Sequence, residues 1–441
     1  MLFNLLYAAL LAAVSPIVAY RMVRHGRYRR GLGEKLLGLS KTRAKQLRAG
    51  KECLWIHAVS VGEVNLLPSV VKQIESLVPD ASIVISSSTD TGYDLAVQRF
   101  GAERVFFCPL DFTWAVSRTL RHLKPKQVIL TELELWPNLI RLASKAGHRV
   151  KVINGRLSSR SSERYQQFGF LTRPSFERLH WVGCQDEAAL ARFEACGVAP
   201  SRLSVTGSIK FDNAPMEKDT PEVQELVQWS GVDPWHRVWV VGSTQDGEES
   251  MAIEIYQRLR VLNPELRLIL VPRHAERFDT VASLLKKSGL NVHRRSCDGS
   301  LFSRSWDVDT VVLVDTIGEL RNWWGVANIA TVGGSFGSRG GQNMLEPAGY
   351  GVPVSFGPNT KNFATIADSL IEADAAVRVV DEQSLERFVR RCLSDIPAAD
   401  SLGENAKAVV AKHRGAIKQT VDHLLHEKTA QQDSDEILRA A

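Results

Sequence analysis

From residue 53 onward, short apolar runs alternate with longer amphipathic segments. The apolar runs predict strands, and the segments between them have the periodicity of helices. In the first half of the chain the predicted strands span 53–59, 82–88, 104–110, 127–133, 149–155 and 180–186. In the second half they span 238–244, 266–272, 310–316, 328–334, 352–357 and 376–381. Continuous hydrophobic strands separated by helices are typical of a parallel sheet that is covered on both faces.

The alternation stops once, between the two halves of the chain. Residues 213–236 are polar, contain three prolines and predict a linker. The expected fold class is therefore α/β, with two Rossmann-like, doubly wound lobes at 26–212 and 237–400, and a ligand-binding cleft between them. A chain of 441 residues is long enough for two such domains. A C-terminal helix is predicted at 401–426 and a mobile tail at 427–441.

The N-terminal segment at 1–25 is predicted to be a membrane anchor. Residues 2–20 carry no charge, and residues 21–51 then hold eleven Lys or Arg against one acid, Glu34. Positive charge after an apolar helix keeps the following chain in the cytoplasm and attracts anionic lipid. A cleaved signal peptide is the alternative, but its positive charge precedes the apolar run. Pro16 also allows a helix that enters the membrane without crossing it, and in either form we expect the body of the protein at its inner face.

Composition narrows the possible functions. The net charge of +6 comes from residues 21–51, and the rest of the chain is net acidic, which argues against a nucleic-acid partner. The six cysteines form no C-x-x-C pair, and no H-E-x-x-H motif is present, so the sequence offers no metal or redox motif. A non-enzymatic protein that uses the basic segment at a membrane surface stays an alternative.

Three acidic residues lie at or after the ends of predicted strands of the first half, and one lysine follows a short apolar run. Glu63 ends the turn in HAVSVGEV (57–64), Glu132 lies near the end of the strand at 127–133 and Glu134 directly follows it, and Lys210 follows the apolar run LSVTGSI. Glu132 and Glu134 share one face if that strand continues. Each residue also has an ordinary interpretation: an acid favoured in the first turn of a helix for Glu63, and solvated surface charge for the others.

The strand exits of the second half favour anion binding. Pro272 ends one predicted strand and Arg273 follows it, Asp315 to Glu319 span the end of another, and a glycine-rich stretch spans 333–358. Glycines allow close approach to a ligand, and a helix that begins near Asn343 would direct N–H groups at a phosphate. Glu346 could accept hydrogen bonds from ribose hydroxyls. Neither G-x-G-x-x-G nor G-x-x-x-x-G-K-[ST] is present, and the glycines alone are also compatible with an ordinary loop.

Nine motifs in order resemble one family, the 3-deoxy-D-manno-octulosonate (Kdo) transferases that act on lipid A precursor in lipopolysaccharide synthesis. They are HAVSVGE, TELELWPN, NGRLS, CQDE, TGSIKFD, GSTQDGEE, VPRHAER, DTIGEL and GGSFGSRGGQNMLEP, and the resemblance covers roughly residues 1–425. It implies a GT-B fold, an inverting glycosyltransferase, CMP-Kdo as donor and a lipid A precursor (lipid IVA) as acceptor. It also implies no cofactor, no metal and no nucleic acid, with the lobes on the cytoplasmic side of the inner membrane.

The resemblance also implies roles for particular residues. Glu63 matches the general base, and Glu134 and Lys210 match positions that stabilise the transition state. The matching CMP-Kdo-binding residues are Pro272, Arg273, Ile317, Gly318, Glu319, Asn343, Met344, Leu345 and Glu346. A sugar hydroxyl is a poor nucleophile, so a carboxylate must take its proton. For Glu63 we expect the helix start to lower the pKa and burial to raise it, leaving a modest net shift.

The sequence departs from the family pattern at three positions. Gln245 and Gln342 stand where His is usual, and Gly155 stands where Ala is common. Glutamine keeps hydrogen-bonding ability but cannot titrate. Because Glu63 and Arg273 are intact, we predict an active enzyme. The alternative is another GT-B enzyme that uses a different nucleotide sugar.

Overall fold

The computed structural model describes residues 2–25, 30–301 and 306–425. Within these residues the chain divides into two compact units. The first unit contains the chain up to Asn213 and again from Arg414, and the second unit contains Ala214–His413. The predicted tail at 427–441 lies outside the described residues.

Among the described residues, each unit contains a seven-stranded parallel sheet. The strands of the first sheet are β1 (Glu52–His57), β2 (Ala81–Ser87), β3 (Val105–Phe107), β4 (Gln127–Thr131), β5 (Arg149–Gly155), β6 (Trp181–Cys184) and β7 (Leu203–Val205), in the order β3-β2-β1-β4-β5-β6-β7. The strands of the second sheet are β8 (Arg237–Thr244), β9 (Leu266–Pro272), β10 (Asn291–Arg294), β11 (Thr310–Leu313), β12 (Ile329–Val332), β13 (Val354–Phe356) and β14 (Ala376–Arg378), in the order β10-β11-β9-β8-β12-β13-β14.

Helices connect the strands. They are α1 (Leu2–His25), α2 (Leu32–Leu37), α3 (Lys41–Arg48), α4 (Val61–Val64), α5 (Leu67–Leu77), α6 (Asp90–Phe100), α7 (Thr113–Leu123), α8 (Pro137–Lys145), α9 (Ser159–Gln167), α10 (Gly169–Phe176), α11 (Glu187–Ala195), α12 (Ile209–Asp212), α13 (Pro221–Ser230), α14 (Glu248–Leu259), α15 (Phe278–Lys287), α16 (Leu320–Val326), α17 (Leu345–Gly349), α18 (Ala364–Glu372), α19 (Glu382–Ser394), α20 (Ile396–Lys412) and α21 (Ala416–Leu425). Short 3-10 helices lie at Ala102–Arg104, Pro200–Arg202 and Ala275–Arg277.

The strands are buried on both faces, as their continuous hydrophobic pattern predicts. In β1, Trp55 packs into one core cluster of the first unit, whereas Leu54 and Ile56 pack into another. Successive residues of a strand point to opposite faces, so the sheet lies between two layers. The prediction of two doubly wound α/β lobes is therefore confirmed.

The strand order places a switch point in each sheet. β1 pairs with β2 on one side and β4 on the other, and β8 pairs with β9 and β12 in the same way. In open parallel sheets, ligands bind outside the carboxyl ends of the strands where the order reverses. The exits of β1 and β4, and of β8 and β12, are therefore the places to look for a site.

The predicted linker at 213–236 is wrong. Its residues from Ala214 onward belong to the second unit, and α13 forms within it. Pro221 occupies the first turn of α13, where a missing N–H costs nothing, and Val223 and Leu226 are buried. Pro221 thus starts a packed helix, and polar residues form the exposed face of that helix.

The predicted C-terminal helix at 401–426 is instead formed by two helices, α20 and α21. Gly415 lies between them with φ 105°, a conformation that favours glycine and interrupts a helix. The chain returns to the first unit at Arg414, so α21 packs there. The expected first lobe at 26–212 did not include this returning segment.

The predicted membrane anchor coincides with α1, which has Pro16 inside it. Asn4 Nδ2 donates to Thr113 Oγ1 at 2.7 Å, and the Tyr7 hydroxyl donates to Asp111 Oδ2 at 2.9 Å, so the start of α1 contacts the first unit. In the part of the chain that the structure describes, no helix is both long enough and apolar enough to cross a membrane. The membrane helix stays a prediction.

Candidate active site

Glu63 lies in α4, directly after the exit of β1. Its carboxylate accepts hydrogen bonds from the Val59 N–H at 2.8 Å and from the Ser60 hydroxyl at 3.0 Å. Burial raises the pKa of Glu63 to about 7, the two hydrogen bonds oppose the rise, and Glu132 and Glu134 add to it. The shift exceeds the modest one expected from the sequence because burial outweighs the local hydrogen bonds. A carboxylate with this pKa is partly ionised at neutral pH and can take a proton.

The chain turns sharply at the exit of β4. The sequence analysis placed Glu132 and Glu134 on one face if the strand continued past them. The strand ends at Thr131, so this condition is not met. Glu132 and Leu133 have φ values of 63° and 118°, which are strained conformations for residues that carry a side chain. Glu134 is exposed, yet desolvation by the surrounding protein raises its pKa.

Lys210 forms an ion pair with Glu132. Lys210 lies in α12, and its Nζ is 3.2 Å from Glu132 Oε1. Asn154, at the exit of β5, connects the two elements: its Nδ2 donates to Glu132 Oε1 at 3.3 Å, and its Oδ1 accepts from the Ile209 N–H at 3.0 Å. Asn154 has φ 53°, which asparagine tolerates better than most residues.

The first unit therefore brings the predicted catalytic residues Glu63, Glu134 and Lys210 to the switch point of its sheet, and we call them, with Glu132, the carboxylate–lysine site. Glu132 and Glu134 are close enough to Glu63 to raise its pKa, and Lys210 joins the group through Glu132. The sequence analysis did not identify the Glu132–Lys210 pair or the connecting role of Asn154. The Asn-Gly pair at the end of β5 was the available signal, because it is typical of a turn with positive φ.

His57, the last residue of β1, packs next to the segment that carries Glu134. Its Nδ1 lies 2.9 Å from Ser86 Oγ, and its ring packs edge-on against Trp136, 5.5 Å between centroids. Burial lowers the pKa of His57 to about 4, so the ring is neutral at pH 7. His57 thus packs against the segment that follows Glu134 without adding charge.

The second unit brings several of the predicted CMP-Kdo-binding residues together. Asn343 Nδ2 donates to Glu346 Oε1 at 3.1 Å, and Asn343 Oδ1 accepts from the Leu345 N–H at 3.2 Å. Burial raises the pKa of Glu346, and Arg321, Asn343, Trp324 and Arg273 oppose the rise. Arg273, after Pro272 at the exit of β9, therefore lies near Glu346. Arg321, in α16, was not predicted.

The other predicted residues of this group contribute in different ways. α17 begins at Leu345, near Asn343 as the sequence predicted, and Met344 and Leu345 are both buried. Ile317 is 84% exposed, and Gly318 follows it with φ 94°. Glu319 forms an ion pair with Arg295 at 3.1 Å. Burial opposes ionisation of Glu319, but Arg295 and the Thr316 hydroxyl hold its pKa below the usual value.

The glycine-rich loop after β12 already holds an anion from the protein itself. The carboxylate of Glu248 accepts hydrogen bonds from the N–H groups of Gly334, Ser335 and Phe336. The expectation that the glycines of this stretch approach a ligand is therefore wrong for Gly334, because its N–H group, like those of Ser335 and Phe336, is already bonded to Glu248. The expectation stays open for the later part of the stretch, around Asn343.

No cluster of three or more His, Cys, Asp or Glu side chains that could hold a metal ion occurs among the described residues.

Comparison with known proteins decides the family. Residues 29–213 match the family model described as 3-deoxy-D-manno-octulosonic-acid transferase (kdotransferase). A 3-deoxy-D-manno-octulosonic acid transferase of Haemophilus influenzae is 32% identical over 426 residues, which cover 95% of this chain and 97% of that protein. The chain belongs to the Kdo transferase family. The resemblance seen in the sequence motifs and the predicted enzyme class, a glycosyltransferase, are thereby confirmed.

Other comparisons agree with this family and fold. A Kdo transferase of Bordetella pertussis is 32% identical over 433 residues, which cover 95% of this chain and 98% of that protein. The solved structure of UDP-GlcNAc 2-epimerase from Neisseria meningitidis bound to UDP-GlcNAc is similar with a TM-score of 0.58, at 11% identity. It covers 85% of this chain and 99% of that chain, and the likeness concerns the fold alone.

Two of the three departures from the Kdo transferase pattern have a structural setting. A Cβ at Gly155 would lie 3.0 Å from the Gly183 carbonyl oxygen and 3.2 Å from the Phe193 ring, so the close approach of β5 and β6 favours glycine. The side chain of Gln342 packs beside Gly334 in the glycine-rich loop. Nothing in the structure explains the side chain of Gln245.

Proposed function

We propose that this Kdo transferase moves Kdo from CMP-Kdo to a lipid A precursor with inversion at the anomeric carbon, and that Glu63 is the general base. The observation that carries the proposal is the carboxylate–lysine site itself. It places Glu63, with a pKa of about 7, at the switch point of the first sheet beside two further carboxylates and a lysine. The alternative is a GT-B enzyme that uses a different nucleotide sugar.

The proposed step transfers one proton and one sugar. As an acceptor hydroxyl attacks the anomeric carbon of Kdo, its proton passes to the Glu63 carboxylate and a new C–O bond forms. The bond between that carbon and the phosphate oxygen of CMP breaks, and CMP leaves with the electron pair. A base whose pKa lies near the working pH is well suited to this transfer, because it is ionised beforehand yet still basic.

Charges in both units have roles in this proposal. Lys210, held by Glu132, and Arg273 offset the negative charge that develops on the departing CMP. Glu134, whose pKa is raised, lies close enough to Glu63 to favour its uptake of a proton. The CMP moiety is bound by Pro272 and Arg273, by the segment Ile317–Glu319 and by Asn343–Glu346, where Arg321 adds a positive charge.

In this proposal the chain is held at the cytoplasmic face of the inner membrane by α1 and the basic residues at 21–51. Leu5 and Leu6 of α1 are 68% and 59% exposed, so they are free to enter lipid. Asp111, which bonds to Tyr7, also accepts from the Asn138 N–H at the start of α8. α1 therefore contacts the first unit next to the segment that carries Glu134, where a lipid acceptor must arrive.

The test is turnover by purified protein with CMP-Kdo and a lipid A precursor, measured as release of CMP. We expect Glu63→Gln and Glu63→Ala to lower kcat by about 10²-fold or more, the typical contribution of a general base. CMP binding should be unchanged, because Glu63 lies in the first unit.

Glu187→Gln is the matched control. Glu187 also occupies the first turn of a helix that follows a strand of the first sheet, but it is exposed, and its replacement should leave turnover intact. Near-normal turnover in both Glu63 variants would refute the base. Release of UDP or GDP from UDP- or GDP-linked sugars, with no CMP released from CMP-Kdo, would favour the alternative donor.

A further inference from the structure

A buried carboxylate lies inside the glycine-rich loop of the second unit. Glu248, the first residue of α14, is 5% exposed. Its Oε2 accepts from the N–H groups of Gln245 at 2.8 Å and Gly334 at 2.7 Å. Its Oε1 accepts from those of Ser335 and Phe336, both at 3.2 Å. We call these four N–H groups the amide cradle.

The amide cradle occupies the position in the sheet where phosphates usually bind. One of its N–H groups follows β8 and three follow β12, and these strands are neighbours where the strand order reverses. Successive backbone N–H groups around a residue with positive φ, here Gly334 at 67°, make an anion-binding concavity. In this chain the anion is a side chain.

The fit between the loop and the carboxylate leaves no space for a second anion. A Cβ at Gly333 would lie 2.6 Å from Glu248 Oε2 and 2.9 Å from the Ser243 carbonyl oxygen, so not even a methyl group fits. Burial raises the pKa of Glu248, and its four amide bonds oppose the rise by favouring the ionised form. The cradle is therefore satisfied and closed before any donor arrives.

We infer that Glu248 makes the enzyme select donors that carry one phosphate over donors that carry two. Its carboxylate fills the amide cradle that would otherwise accept a second phosphate. A diphosphate would bring its additional charge beside a buried carboxylate and would find no free N–H group there. A single phosphate needs no more than the positive charges near Glu346, from Arg273 and Arg321. The inference rests on the proposed CMP-linked donor and names the residue that rejects diphosphate donors.

A different role for Glu248 would be to hold the loop after β12 against α14 and nothing more. The two roles differ in what they predict for binding. If Glu248 only holds the loop, its loss weakens the binding of mono- and diphosphates alike. If it occupies the place of a phosphate, its loss changes the ratio between them in favour of the diphosphate.

The experiment is calorimetric titration of the full-length protein with CMP and with CDP. We expect the wild type to bind CMP about tenfold or more tightly than CDP, because placing like charges side by side is costly. In Glu248→Ala the ratio should shift by about tenfold towards CDP. Glu248→Gln should shift it less, because the amide oxygen still accepts from the cradle whereas the amide nitrogen cannot.

Glu249→Gln is the matched control. Glu249 is the next residue, is 1% exposed and bonds to Thr244 Oγ1 at 2.8 Å and Arg277 Nη2 at 2.8 Å, away from the amide cradle. Its replacement should leave the ratio of the CMP and CDP affinities unchanged.

Two results would overturn the inference: a wild type that binds CDP at least as tightly as CMP, or an unchanged ratio in a folded Glu248→Ala protein. If neither Glu248 variant folds, the wild-type ratio decides. Titrations with UMP and GMP separate this inference from the proposed donor. If the protein binds UMP or GMP more tightly than CMP, the proposed cytidine donor is refuted. The role of Glu248 can then still be tested by comparing the affinities for the mono- and diphosphate of the preferred nucleoside.

Discussion

Glu63 combines two roles that the sequence presented as alternatives. As an acid in the first turn of α4 it bonds to the Val59 N–H and the Ser60 hydroxyl, which is what an ordinary helix-start residue does. Burial nevertheless raises its pKa to about 7. The local hydrogen bonds hold the carboxylate in place, and the surroundings keep it basic enough to take a proton.

This raised pKa predicts a pH-dependent effect on stability. The folded protein binds the proton of Glu63 more tightly than the unfolded chain, whose pKa is near the ordinary 4.5. Stability is therefore lost as pH rises from the unfolded pKa through the folded pKa of about 7. Glu63→Gln removes this penalty, so we expect Tm to rise by about 2–4 °C at about pH 8, and hardly at all at about pH 4.

Differential scanning calorimetry at both pH values checks this prediction. Glu187→Gln, at an exposed first-turn position, should show no such pH dependence. An equal change in Tm for Glu63→Gln at acid and alkaline pH would mean that lost packing, and not ionisation, sets its effect.

The sequence could point to Glu63 and Glu134 because each follows a predicted strand, and to Lys210 because it follows a short apolar run; all three match a family motif. It could not show that Lys210 pairs with Glu132, because that contact depends on where β4 ends. The strand was expected to continue through residue 133, but the chain turns at Glu132 and Leu133 with positive φ. The pattern of hydrophobic residues does not predict a turn with positive φ when the turn contains no glycine to mark it.

Among the elements, α12 and α21 are joined by one side chain. Asp212, in α12, accepts from the N–H groups of Gly415 at 2.6 Å and Ile417 at 2.7 Å. These are N–H groups that the start of α21 cannot satisfy within itself. The four-residue helix that carries Lys210 thereby also fixes the start of a helix some two hundred residues later.

We expect Asp212→Ala to destabilise α21, by about 1–2 kcal/mol, the usual cost of losing such a cap. Hydrogen exchange measured by mass spectrometry should show faster exchange of the α21 amides. Asp422→Ala is the control on the same helix, because the pair of Asp422 with Lys418 lies at the surface. Unchanged protection of α21 in Asp212→Ala would contradict the capping role.

The central strands could all be predicted, but only two of the four edge strands could, namely β3 and β14. Twelve predicted strands correspond to strands of the described residues, whereas β7 and β10 were not predicted. Both are short, and their residues are largely half-buried, so they lack the continuous apolar run that marks a central strand. β10 is an edge strand with the sequence NVHR, in which polar residues are tolerated.

For the whole molecule, the restart of the strand pattern correctly predicted two lobes. The composition of residues 213–236 led to a wrong prediction of a linker between them. Polar residues and prolines suit a linker and the exposed face of a short helix equally well. Only packing, here of Val223 and Leu226 in α13, separates the two. The same limit applies to α20 and α21, which one amphipathic pattern covers.

Membrane attachment can be tested on the whole protein. We expect the double variant Leu5→Asp, Leu6→Asp to lower binding to vesicles that contain anionic phosphatidylglycerol by about tenfold or more, because two exposed leucines no longer enter lipid. Vesicle flotation measures this. Leu262→Asp is the control, since Leu262 is 82% exposed but belongs to the second unit. Full binding by the double variant would contradict attachment through this part of α1.

The return of the chain to the first unit has a consequence for folding during synthesis. Ala416, Val421 and Leu424 complete the core cluster that covers one face of the first sheet. Gln127 Nε2 and Lys151 Nζ donate to the Leu424 carbonyl oxygen at 2.9 and 3.0 Å. A ribosome therefore has to deliver the entire second unit before the first can close. The N-terminal unit, although made first, is finished last, and a chain released early exposes its core to chaperones and proteases.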